Sequence, residues 1–424
     1  VRFLAVILVA ISAIPSFARA DLKRYDGKYY TVYTDLDAES AREAVLRMTR
    51  MAEEYHARTA GFSGQITTRF PFYLYTSSAD YLAAGGLPDT SGVFITDGTG
   101  GRLMAVAGRH PNDQTWHSVQ HEGFHQFAHA VIGGKLPAWL DEGLAEYFGE
   151  SIFTGDGFVT GVVPPWRLAR LKREIGDGSL KSVDAIMAVS SDQWRSEMSL
   201  GNYDQAWSMV HYLVHADGGK YREPFGACIR DVSAGKPFAT CWSDRIGASD
   251  AFQQRWSDYW KSQPHSPTSV LYAEAACASL TSFLGRATAK HQTFADYPAF
   301  QAAAESGGLK TADNDWLPPS LLREMSRLAR NYDGWSLAGR PPVLVLALPD
   351  GTRLTGSFVL SNLKVEKVTV DVDDVVPVLA AAKKLAVAGK KDEARDTVTA
   401  TLKEHPKSPA AADARKFLAA LRGS

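Results

Sequence analysis

The sequence predicts an α+β fold: a small mixed sheet, a histidine-bearing helix and a helical subdomain, then a small α+β segment and a helical tail. Three observations predict it. Short β-rich stretches crowd the first quarter of the chain, and helical apolar spacing takes over from Thr115 onward. Strand signals return once, over 343–372, before an Ala-rich helical end. The composition, 45% hydrophobic and 22% charged over 424 residues, suits a globular chain long enough for two or three domains.

Taken in order, Tyr29–Thr34 alternates as a strand, and Asp37–Thr59 is a long helix with Val45, Met48 and Met51 at helical spacing. Phe70–Tyr75, Val93–Thr96 and Leu103–Ala107 read as strands, with a turn at Asp97-Gly98-Thr99-Gly100-Gly101 between the last two. A helix is expected over Thr115–Ile132, stopped by Gly133-Gly134, and another over Leu140–Phe148. Tryptophan-bearing helices follow near 165–175 and 203–215. Ser262–Thr268 (SQPHSPT) is a linker by composition, dividing a region 21–262 from an accessory region 269–372. The latter is helical to about Arg330. It then carries a hairpin of Val343–Leu348 and Arg353–Val359, and a further strand at Lys364–Val372. Helices near 377–388, 391–404 and 410–421 complete a tail over 373–424. It resembles one tetratricopeptide-like helical pair with a capping helix, which implies a protein partner for the tail.

Residues 1–20 read as a secretory signal peptide. Arg2 precedes an apolar run to Ile14, and Ala18-Arg19-Ala20 has the small-x-small form that favours cleavage after Ala20. Val1 in place of Met suggests an alternative bacterial start codon. An exported, periplasmic or secreted protein is expected, with no membrane span after cleavage. A net charge of −1 argues against nucleic-acid binding. Three cysteines are too few for a disulfide scaffold. Cys228 and Cys241 either pair or remain two buried thiols, and Cys277 is left over.

The chemistry concentrates at His121-Glu122-Gly123-Phe124-His125, an HExxH motif. Residues four apart share a helix face, so both imidazoles can reach one metal ion, and Glu122 can take a proton beside it. His117 and His129 extend the stripe without that Glu, as packing or ligand-orienting residues. A catalytic zinc needs a third ligand and an open position. The HExxHxxGxxH option fails, because Ala128 and Val131 stand where Gly and His are needed. The remaining option is a carboxylate on the next helix, where Glu142 and Glu146 lie one turn apart in WLDEGLAEYF.

The segment His121–Phe148 resembles the gluzincin metallopeptidases, the clan of thermolysin and aminopeptidase N. It is most similar to bacterial exported peptidase-MA-like proteins with HExxHQ and WLxEGLAEYF. The resemblance implies a zincin-like catalytic domain over 21–262. It implies Zn2+ on His121, His125 and Glu142, with Glu122 as general base and acid, and Glu146 orienting a ligand His. It implies an oxyanion donor on a downstream helix, Tyr203 with His211 in reserve. Zincins often bind substrate along a sheet edge, for which Leu103–Ala107 is the candidate. Gly98–Asn112 holds no acidic residue that would grip a substrate amine, so an endopeptidase is expected over an aminopeptidase. The expected partner is a peptide or protein substrate. The alternative is a non-catalytic zinc-containing binding or assembly protein acting through its tail, which an intact Glu122 argues against.

Overall fold

The computed structural model describes residues 21–97, 100–132, 136–197 and 199–422. The expected signal peptide over 1–20, Gly98-Thr99 of the expected turn and the Gly133-Gly134 helix stop lie outside the described residues. The chain is mixed α/β. β1 (Lys23–Asp26) and β2 (Tyr30–Thr34) form an antiparallel pair, and α1 (Ala38–Thr59) leads to β3 (Phe70–Tyr75), parallel to β2. After α2 (Ser78–Ala83), β4 (Gly92–Asp97) and β5 (Gly100–Val106) form a hairpin whose second strand joins β3 in parallel. The sheet order is β1-β2-β3-β5-β4.

That order corrects the expected edge. Leu103–Ala107 lies mostly inside the sheet, between β3 and β4, and β4 is the edge. The physical reason is burial on both faces: Leu103, Met104 and Ala105 are all buried, as an interior strand requires. Val93, Phe94 and Ile95 of β4 are only partly buried.

α3 (Asp113–Val131) starts at Asn112, whose side chain accepts from the Thr115 N–H at 3.0 Å. α4 (Ala138–Gly149) packs on it, and a short hairpin, β6 (Ile152–Phe153) with β7 (Phe158–Val159), follows. Then come α5 (Pro165–Asp177), α6 (Val183–Met187), α7 (Ser191–Glu197), α8 (Leu200–Gly219), α9 (Arg222–Ser233), α10 (Phe238–Arg245) and α11 (Ser249–Ser262). Cys228 and Cys241 are free thiols in one small buried cluster with Val232, and Cys277 is buried elsewhere.

Beyond Ser262–Thr268 lie α12 (Ser269–Ala289), α13 (Tyr297–Glu305) and α14 (Pro319–Ala329). A four-stranded antiparallel sheet follows, made of β8 (Trp335–Ala338), β9 (Val343–Ala347), β10 (Arg353–Ser361) and β11 (Lys364–Asp373). One hydrophobic core runs from Tyr30 and Val32 of β2 through Phe124 and Leu144 to Leu284, Leu321 and Leu354. The tail helices α15 (Val375–Val387), α16 (Lys391–Glu404) and α17 (Ala411–Arg422) close over a separate cluster. Among the described residues, no helix is long and apolar enough to cross a membrane.

Two motif glycines set the helix spacing. A Cβ at Gly123 would come within 2.8 Å of Met48 Cε on α1, and one at Gly143 within 2.6 Å of the Ala206 carbonyl on α8. At Gly143 the neighbour is backbone that cannot yield, so only glycine lets α4 and α8 approach so closely. Gln126, just after HExxH, donates to the carbonyls of Pro71 on β3 and Gly101 on β5, so α3 is fixed over the sheet.

Candidate metal centre

α3 and α4 bring His121, His125 and Glu142 together. Nε2 of His121 and Nε2 of His125 are 3.1 Å apart. Oε2 of Glu142 lies 3.3 Å from the first and 3.5 Å from the second. Tetrahedral ligands at zinc–ligand distances of 2.0–2.1 Å stand about 3.3 Å apart, so the spacing fits one ion. The far side of each imidazole is committed: Nδ1 of His121 meets Glu146 Oε1 at 3.2 Å, and Nδ1 of His125 meets Asp141 Oδ2 at 3.1 Å. A carboxylate on Nδ1 fixes the tautomer that turns the Nε2 lone pair inward.

Two facing lone pairs and a carboxylate oxygen repel one another unless a cation sits among them. Oε2 of Glu142 is buried without a hydrogen bond of acceptable geometry. Burial works against a charged His121, but the nearby Glu142 and Glu146 carboxylates outweigh it and push its pKa up to about 10. Burial also opposes charge on His125, and Asp141 and Glu142 overcome it to hold its pKa well above the ordinary value. Burial raises Glu142, yet the two imidazoles draw it down to about 2. The cluster therefore demands positive charge at its centre, and two imidazoles with one carboxylate are a donor set that suits zinc.

Glu122 lies beside the cluster at the sheet edge, where its Oε2 accepts the Phe94 N–H of β4 at 2.8 Å. Gly92 backs it: a Cβ there would stand 3.3 Å from Glu122 Cγ. On the other side the Tyr203 ring is 6.3 Å from the His121 ring, centroid to centroid, and packs edge-on against Trp194. Burial, and then the Glu142 charge, push the Tyr203 phenol up, so it keeps its proton at neutral pH. His121, Glu122 and Tyr203 line one open cleft of about 1020 Å³.

A family model described as a protein of unknown function (DUF1570) matches residues 116–239. That span is under a third of the chain. It takes in α4, α8 and nearly all of α3, hence every residue of the cluster, Glu122 and Tyr203. No curated protein matches the chain.

The reserve residue His211 is not brought to the cluster. It faces a separate cavity of about 260 Å³ beside Trp260 and donates from Nε2 to the Gly161 carbonyl at 3.0 Å. Burial lowers its pKa to about 4. It sits two turns beyond Tyr203 on α8, packed against the Trp207 and Trp260 rings. His117 lies 3.8 Å from Glu146, with its ring where a Cβ at Gly149 would stand 3.0 Å away, while His129 is exposed beside Phe94.

Sequence reasoning missed three participants. Asp141, which precedes Glu142, orients His125. Arg167, on α5, contacts Glu146 at 2.6 Å and Glu150 at 2.7 Å from the same Nη1. It completes a second group of possible ligands, His117, Glu146 and Glu150, with a built-in cation. α14 contributes Glu324, Met325, Arg327 and Leu328 to the cleft wall from the accessory region. A motif search could have flagged only Asp141, by its spacing from His125.

Proposed function

We propose that this chain is an exported, zinc-dependent peptidase of gluzincin type, an endopeptidase, with Zn2+ on His121, His125 and Glu142. The observation that carries the reading is the convergence of three ligand atoms within 3.5 Å of one another, with both imidazoles held from behind by carboxylates. Zinc in such a site supplies Lewis acidity, polarising a carbonyl and lowering the pKa of water. The chain's own groups do the rest. Glu122, steadied by the Phe94 N–H, takes the proton of the attacking water and returns it to the leaving amine. Tyr203, kept protonated by burial, donates to the oxygen that gains charge. A peptide paired along β4 would pass directly beside Glu122. The open cleft supports internal cleavage of an extended chain, and the tail is the surface for a protein partner.

Glu122→Gln tests this. It preserves size and should leave zinc content and melting temperature unchanged while turnover of a cleavable peptide falls by roughly 10²–10⁴-fold. Glu142→Ala should lose zinc. Activity of Glu122→Gln within a few-fold of wild type would assign the base elsewhere. A zinc-loaded wild type that cleaves nothing in a broad peptide library would favour the non-catalytic binding protein.

A further inference from the structure

Arg167 is a buried guanidinium that no step above uses. Its side chain is 3% exposed and lies over the Trp207 ring at 4.6 Å. Nη1 contacts Glu146 and Glu150 of α4. Nε lies 2.8 Å from Asp204 Oδ1, and Nη2 donates to the Tyr203 carbonyl at 3.4 Å, both on α8. Asp204 is fully buried and is also gripped by Arg170. Glu146 in turn reaches Nδ1 of His121 at 3.2 Å. One planar group on α5 therefore touches the carboxylate behind a cluster histidine and the backbone of the tyrosine facing that histidine.

We propose that Arg167 is the positioning residue of this centre: it sets Glu146 against His121 and Tyr203 against the cleft as one rigid frame. The inference rests on the metal-centre reading given above. A guanidinium suits the task because its fork presents several donors in fixed directions, and a lysine ammonium cannot span carboxylates on two helices with the same geometry. The same cation lies between Glu146 and Glu150, so the group of His117, Glu146 and Glu150 already holds a positive charge supplied by the chain itself. It belongs to the frame, and the metal belongs to the neighbouring cluster.

Arg167→Lys keeps the charge and loses the fork. In the full-length chain, zinc affinity measured by competition with a chromophoric chelator should fall about 10-fold or more, the range seen when partners of metal ligands are lost. On a cleavable peptide kcat should fall with KM little changed. Glu150→Gln is the control, because it removes a partner of Arg167 that touches neither His121 nor Tyr203. It should lower the melting temperature and leave zinc affinity alone. If Arg167→Lys does not fold, the double variant Arg167→Gln/Glu150→Gln carries the test, since it removes the fork together with one of its carboxylates and leaves Glu146 intact against His121. It too should lose zinc affinity. The proposal is overturned if the folded Arg167→Lys or Arg167→Gln/Glu150→Gln variant keeps zinc affinity within about twofold of wild type, or if Glu150→Gln alone loses as much as Arg167→Lys. A wild type that binds zinc but cleaves no peptide would end the peptidase reading, and the zinc-affinity arm would still decide the role of Arg167.

Discussion

Residues 269–361 and residues 375–422 both follow α3 and α4 in the chain, yet they stand in different relations to them. α12 and α14 bury Leu280, Phe283, Leu284, Leu321 and Met325 in the same core that holds Phe124 and Leu144. Polar ties reinforce the join: Arg286 meets Asp156 at 2.8 Å, and Ser320 donates to Glu43 at 2.7 Å. α14 even walls the cleft. The tail instead closes on itself around Val375, Leu379, Ala382, Ala394, Val398 and Ala414. It meets the preceding sheet at small contacts, such as Val376 under Gly351 and His405 3.7 Å from Asp371. A Pro- and Ser-rich linker precedes the first region and a bare Asp-Asp step precedes the second. Shared burial of apolar surface, not punctuation in the sequence, decides which segment belongs to the fold around the site.

The largest test of that contrast is removal of everything after Ser262. Each large apolar side chain so stripped from the core forfeits about 1.5–3 kcal/mol, and half a dozen together are comparable to the roughly 5–15 kcal/mol by which a domain is stable. The shortened chain should not give a cooperative melt or bind zinc. A folded, zinc-binding 21–262 fragment would break the comparison. A smaller perturbation is Leu321→Ala, at a fully buried position of α14. It should cost about 2–5 kcal/mol in the main unfolding transition, measured by denaturant titration. A loss below about 1 kcal/mol would mean that α14 only rests on the core. The smallest effect is expected from ending the chain at Asp373, which keeps β11 whole. Zinc content, main melting temperature and peptide turnover should match the full-length protein, and loss of zinc or of folding would show that the tail supports the core.

Much of the fold was legible. Helices α1, α3, α4 and α8 carry long 3.6-residue patterns, and β2, β3, β9, β10 and β11 alternate or run apolar. The strand β1, with the sequence KRYD, was not legible, because it is nearly all polar and holds its place by pairing with β2. β8 escaped for a related reason: four residues offer no period, and Trp335 is fixed by stacking on Tyr297. At the site, the HExxH pair and Glu122 were legible because an i, i+4 face is set by one helix alone.

The sequence by itself determined that two histidines share a helix face with a carboxylate between them, and that a second acidic helix follows within reach. It left open which of Glu142 and Glu146 faces the imidazole nitrogens, since both repeat at the same helical period. Tertiary packing decided it: Gly143 lies against Ala206, α4 is rotated so that Glu142 meets the Nε2 atoms, and Glu146 turns to Nδ1 and Arg167. Tertiary structure alone also made β4 the edge, placed Tyr203 at the cleft and His211 away from it, and brought α14 to the wall. The reason is range. Helical and strand periods are fixed by neighbours a few residues apart, whereas these choices depend on which apolar faces meet across tens to hundreds of residues, and no local pattern records that.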